Sequence, residues 1–224
     1  MRLGVNKYVL CFLVLFLCAL TNIEAQKDDN IAWLSVSGAT KIQKNWTFVL
    51  TPILRFNDDF ESYQNFSIDY AFKQKINTNW SGMLLGRTWF LPDGTKRQFF
   101  WVDLSFSQKL KDISWSHRVR FHQAFDIEDR FDPDYIRYFQ QIKYTGWGKF
   151  QPLIGLELWY GLNGISQFER LRYTPGFAYK FNDVMTLSAV LWRQETINLD
   201  NPAQVNIYRI NLAFNLPALW KEKG

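Results

Sequence analysis

Arg170 to Phe181 reads RLRYTPGFAYKF, and its alternation decides the fold class. Leu171, Tyr173, Phe177, Tyr179 and Phe181 fall on one side of an extended chain. Arg170, Arg172, Thr174, Gly176, Ala178 and Lys180 fall on the other. Successive side chains of a strand point to opposite faces, so this segment has one apolar face and one charged face. A sheet built this way separates two different environments.

The same alternation recurs on both sides of this stretch. Phe66, Ile68, Tyr70 and Phe72 oppose Ser67, Asp69 and Lys73, and Phe100, Val102, Leu104 and Phe106 oppose Asp103, Ser105 and Ser107. Trp115, Val119 and Phe121 oppose Arg118, Arg120 and His122, and Tyr208, Ile210 and Leu212 oppose Arg209 and Asn211. Three segments alternate less cleanly: Ile31–Thr40, Trp80–Leu91 and Met185–Thr196. Pro52 and Pro175 each remove a ladder donor, and bulges or bends are expected there. In all, about eleven candidate strands succeed one another without a linker or a helical period.

Residues 1–25 read as a signal peptide. Arg2 and Lys7 precede an apolar run from Tyr8 to Leu20, and Ala25 offers a small residue before Gln26. That run is shorter than the roughly 20 residues a spanning helix requires. Both cysteines, Cys11 and Cys18, lie inside it, so residues 26–224 have no disulfide and no thiolate ligand. The chain carries Lys+Arg 26 and Asp+Glu 21; removing Arg2, Lys7 and Glu24 leaves 24 and 20, a modest scattered excess. No basic run or nucleic-acid motif accompanies it, so nucleic acid is not an expected partner.

Alternation alone does not say which solvent lies inside. Units of about ten residues, tilted near 40°, cover roughly 25 Å, the height of an outer-membrane apolar band. Aromatic content is 18%, with ten tryptophans, and rings such as Trp46, Phe56, Trp80, Phe90, Phe150 and Tyr160 sit near strand ends. That placement suits the membrane–water interface. The expectation is therefore an all-β, antiparallel transmembrane β-barrel of about ten to twelve strands in a single domain, 26–224. The alternative is a soluble secreted barrel with its apolar face around a ligand. Short connections (near 41–45, 77–79, 111–112, 146–148 and 182–183) alternate with longer ones, which assigns the short set to the periplasm. On that rule Ile31–Thr40 starts outside the cell. Either it does not span, giving ten strands, or another strand exists, giving twelve.

The inward face is expected to carry Arg55, Asp69, Arg87, Asp103, Arg118, Arg120, His122, Arg137, Glu157, Arg172 and Arg209. An arginine facing lipid at mid-depth costs about 2–4 kcal/mol, which places these inside. They form either a paired network filling a narrow lumen or an anion-attracting lining. The first is favoured, as a cross-linked plug. His117 and His122 lie on opposite faces of one strand and so share no metal site; no cofactor, metal or catalytic residue is expected. A cross-strand Ser105 or Ser107 beside His122 is the one arrangement that would suggest hydrolysis. The acidic run Asp126–Asp134 lacks a calcium loop's central glycine and spacing.

Taken together, the IEAQ terminus, Trp33, Trp46, Arg55, the block RLRYTPGFAYKFNDVMTLSAVLWRQE and the closing YRINLAFNL resemble the outer-membrane-barrel family known as Domain of Unknown Function 2490, met in Bacteroidetes-type genomes. The resemblance implies a bacterial outer-membrane location and assigns no activity or site residue. One departure from barrels generally is the end, where Trp220 is followed by KEKG. The expected partners are outer-membrane lipids and the barrel-assembly machinery, with any small-molecule ligand unidentified. Three function classes follow: a structural or solute-passing and solute-binding barrel, a lipid-modifying enzyme, and the soluble ligand-binding barrel.

Overall fold

The computed structural model describes residues 29–125, 134–162, 166–198 and 203–219. The expected signal peptide, most of the acidic run and the Trp220 tail lie outside the described residues. Eleven strands follow one another: β1 (Asp29–Gln43), β2 (Trp46–Asn57), β3 (Ser62–Lys75), β4 (Trp80–Phe90), β5 (Lys96–Leu110), β6 (Ile113–Phe125), β7 (Tyr135–Tyr144), β8 (Phe150–Gly161), β9 (Phe168–Lys180), β10 (Met185–Thr196) and β11 (Gln204–Asn215). Each pairs antiparallel with its chain neighbours, and β1 pairs with β11 to close the barrel.

The closing pair is parallel, in continuous register from Asp29↔Val205 to Ala39↔Asn215. Eleven strands fall within the expected ten to twelve, while the parallel pair corrects the expected wholly antiparallel sheet and the inference that the count is ten or twelve. Ile31–Thr40 is part of a full strand. A strand entering at the end where β11 also begins closes the sheet by running alongside β11, and an odd count results. Side chains bridge this junction. Ser35 Oγ donates to Asn211 Oδ1 at 2.8 Å, and Asn211 Nδ2 donates to Ser37 Oγ at 3.2 Å. At the opposite end the β2–β3 loop folds over the pair: Asn30 Nδ2 donates to Asp59 Oδ1 at 2.7 Å, and the Phe60 ring meets Tyr208 edge-on at 5.4 Å. To reach them, Asp58, Asp59 and Phe60 take φ values of 49°, 55° and 75°, left-handed for three successive non-glycine residues.

The two prolines act differently from expectation. Opposite Pro52 the β1–β2 ladder lapses between Ser35↔Ile53 and Gly38↔Leu50, and opposite Pro175 the β9–β10 ladder lapses between Val190↔Gly176 and Arg193↔Tyr173. Register is kept across both gaps, so the missing N–H leaves an unpaired step and no bulge. Register shifts fall elsewhere, at Arg55/Phe56, Trp159/Tyr160 and Lys41/Gln43.

The faces separate cleanly. Leu34, Leu54, Phe72, Leu84, Leu104, Val119, Ile136, Ile154 and Ile210 are exposed on the outside, whereas Arg55, Asp69, Asp103, Arg137, Glu157 and Arg172 are buried inside. Bare glycines seat neighbouring rings on both faces. On the outside the Tyr70 ring covers Gly86, where a Cβ would collide with it; inside, Phe139 covers Gly155 in the same way. The weak alternation of Trp80–Leu91 and Met185–Thr196 is explained by the lumen, since Met83, Leu85, Trp89, Val190 and Trp192 line it beside the arginines.

Candidate functional site: the arginine–tryptophan belt of the lumen

The lumen encloses a cavity of about 570 Å³. Around its wall, ion pairs and cation–ring approaches follow one another in a closed circuit. The Arg87 guanidinium lies 6.0 Å from the Trp33 ring and 4.7 Å from Trp101, and Arg120 lies 5.3 Å from Trp101. Arg120 then grips Asp103 with two bonds of 2.6 and 2.7 Å. Arg118 stands 4.0 Å from Asp103 and bonds Glu157 at 2.8 Å. Arg172 joins Glu157 at 3.0 Å and stacks 4.5 Å over Trp192, whose ring meets Trp33 at 5.3 Å. The remaining strands add Arg55 over Trp33 at 4.4 Å, Asp69 paired with Arg87, Arg137 on Glu157 and Arg209 over Trp192 at 5.0 Å. Every one of the eleven strands therefore contributes to one belt.

Glu157 is the densest node. With 2% of its surface exposed, it accepts bonds from Arg118, Arg137 and Arg172, and from Trp159 Nε1 at 3.2 Å. Trp159 is itself a platform, with Arg137 at 3.7 Å, Arg172 at 5.0 Å and Arg170 at 5.1 Å from its ring. A guanidinium over a desolvated indole contributes about 2 kcal/mol. Asp69 and Asp103 each take a bidentate arginine, the geometry in which a planar fork matches a carboxylate. Arg55, 1% exposed, bonds Asn65 Oδ1 and lies between the Trp33 and Trp89 rings.

The charges do not balance. Arg55, Arg87, Arg118, Arg120, Arg137, Arg170, Arg172 and Arg209 face three buried carboxylates, Asp69, Asp103 and Glu157, and a fourth, half-buried one, Glu169, accepts from Tyr135 Oη at 3.1 Å. Among the described residues Arg55, Arg170 and Arg209 make no ion pair.

His122 differs from its expected polar setting. It is buried among Trp101, Phe99 and Tyr135, with ring centroids at 5.1, 5.9 and 6.2 Å, and neither ring nitrogen has a hydrogen-bond partner. The cross-strand neighbour of His122 is Trp101, whereas Ser105 pairs with Arg118 and Ser107 with Ser116. Neither serine stands opposite the imidazole, and the arrangement that suggested hydrolysis is absent there. His117 points outward, its Nδ1 2.6 Å from Tyr138 Oη. Among the described residues no group of three His, Cys, Asp or Glu is placed to hold a metal ion.

All eleven residues expected on the inner face stand on it, and ten of them share the belt's contacts; His122 flanks it against Trp101. Two components were missed. Arg170 reads on the charged face of its strand but is not among the candidate residues. The larger omission is Trp33, Trp89, Trp101, Trp159 and Trp192, which line the lumen, although the general preference of tryptophan is for the membrane interface. Their signal was available: Trp101 and Trp159 each stand two residues from a buried carboxylate and so share its face.

These features define a closed eleven-stranded β-barrel with a cationic, indole-lined lumen. The family described as a protein of unknown function (DUF2490) matches residues 30–206, and the chain belongs to it. Neither a curated protein nor a solved structure matches the chain.

Proposed function

We propose that this protein is a bacterial outer-membrane β-barrel, exported by cleavage after Ala25, whose lumen is a chamber for small solutes. The observation that carries the reading is the exterior. Large apolar side chains stand exposed on ten of the eleven strands, among them Val36, Leu50, Phe72, Leu84, Val102, Val119, Ile142, Ile154, Tyr173 and Ile210, and Val184 is exposed just before β10, whose Met185 and Leu187 are half-buried. Soluble monomers rarely expose a contiguous apolar patch beyond a few hundred Å². A band encircling the whole barrel is what lipid solvates. Strands of 10 to 15 residues, tilted, also reach across a hydrocarbon layer of roughly 25 Å. Closure leaves no unpaired edge towards lipid. Outer-membrane lipids and the barrel-assembly machinery are the partners this reading requires. Inside, a 570 Å³ cavity among charged side chains supports solute binding over a fully packed plug.

Cell fractionation tests the location. The protein should sediment with outer membranes, resist salt extraction and migrate faster in detergent gels before boiling than after. Recovery from the periplasm without detergent would refute it.

A further inference from the structure

We propose that the arginine–tryptophan belt is a binding site for a phosphate group, carried by a small molecule or by a lipid headgroup. The inference rests on reading the lumen as a solute chamber, and it adds the class of solute. Charge is the first argument. Eight arginines converge on three buried carboxylates and the half-buried Glu169, and Arg55, Arg170 and Arg209 make no ion pair among the described residues. Like charges gathered in a lumen with indole walls repel strongly, and a multivalent anion relieves that repulsion best.

Hydrogen bonding is the second, independent argument. The lumen's buried polar atoms without a partner are mostly donors: Nε1 of Trp33, Trp89 and Trp101, and Nε of Arg118, Arg137, Arg172 and Arg209. The site therefore offers many N–H groups and few free acceptors. Its complement is rich in oxygen acceptors, poor in donors and carries more than one negative charge. A phosphate group has three terminal oxygens and nearly two charges at neutral pH. Arginine's planar fork binds such oxygens in pairs. Chloride satisfies neither demand, because one spherical charge cannot serve donors spread over several strands.

The test uses the mature full-length protein purified in a non-ionic detergent. Its melting temperature is compared in sodium pyrophosphate, sodium citrate and sodium chloride at matched ionic strength. Pyrophosphate should raise it by on the order of 5 °C over chloride at saturation. Arg209→Gln and Arg170→Gln remove cations with no carboxylate to orphan. Each shift is read against that variant's own chloride value, which absorbs the lost stacking on Trp192 or Trp159, and each variant should cut the pyrophosphate shift by at least half. Either variant alone suffices if the other does not fold. Short-chain phosphatidic acid distinguishes the source: a larger shift than pyrophosphate assigns a lipid headgroup, and a smaller one a soluble phosphate compound. Equal stabilisation by chloride, greater stabilisation by citrate, or an undiminished shift in the folded variants would overturn the proposal. The readout does not depend on where the barrel resides, so a failed fractionation would leave it standing.

Discussion

At the scale of single residues, Glu157 shows how a buried charge network depends on its scarcest member. Three arginines share this carboxylate, and Trp159 donates to it as well. Replacing it with glutamine leaves three guanidinium groups close together with no anion between them. Breaking a buried pair from one side costs about 3–5 kcal/mol, mostly through the charge left uncompensated. Glu157→Gln should therefore lower the temperature at which the barrel loses its unboiled, faster-migrating form. Unchanged stability would mean that water and salt in the lumen already screen the arginines. The same residues show where reading by parity succeeds and stops. Glu157 and Arg172 are opposite partners across β8 and β9, and alternation places both on one face. Alternation does not say that Trp159, two positions from Glu157, must share that face's chemistry. A general preference of tryptophan for interfaces pointed the other way, and tertiary packing overrode it.

At the scale of elements, β11 carries the two faces in successive residues. Leu212 points outward between Val36 and Leu187, while Asn211 points inward and bonds Ser35 and Ser37 across the parallel junction. If the barrel stands in an outer membrane, Leu212→Arg should impair assembly, since a charge facing lipid at mid-depth costs about 2–4 kcal/mol. A variant that assembles as well as the parent would reverse the faces of this strand. Asn211 would pass, on sequence grounds, for a freely replaceable lumen residue, but its two bonds across the closing pair make it a clasp. Asn211→Ala should cost about 1–3 kcal/mol, read from denaturant unfolding in detergent. The sequence hides this role for a physical reason. Hairpin neighbours are encoded by short turns and matched alternation, whereas β1 and β11 lie more than 170 positions apart. Nothing local to either segment states that they meet, or in which direction.

At the scale of the whole molecule, the parallel closure sets the ends of the barrel apart. β1 begins at the rim that holds the loops 58–61 and 91–95, and β11 ends at the rim that holds the tight turns 44–45 and 111–112. The expectation of ten or twelve strands assumed that both strand ends lie on one side of the sheet. The odd count shows that they do not. In an outer membrane with long loops outside and short turns in the periplasm, Asp29 would stand at the cell surface and Asn215 in the periplasm. The β2–β3 loop would then lie over the entrance of β1, where Asp59 and Phe60 already hold Asn30 and Tyr208. An epitope inserted just before Asp29 should be labelled on intact cells, together with one placed at Gly94 in the β4–β5 loop. An epitope following Leu219 should be labelled only after the outer membrane is permeabilised. Labelling of the Leu219 epitope alone on intact cells would invert the barrel in the membrane. Labelling of both strand-end epitopes without permeabilisation would contradict the parallel β1–β11 pair, because an even, antiparallel barrel is the arrangement that brings the two ends to one side.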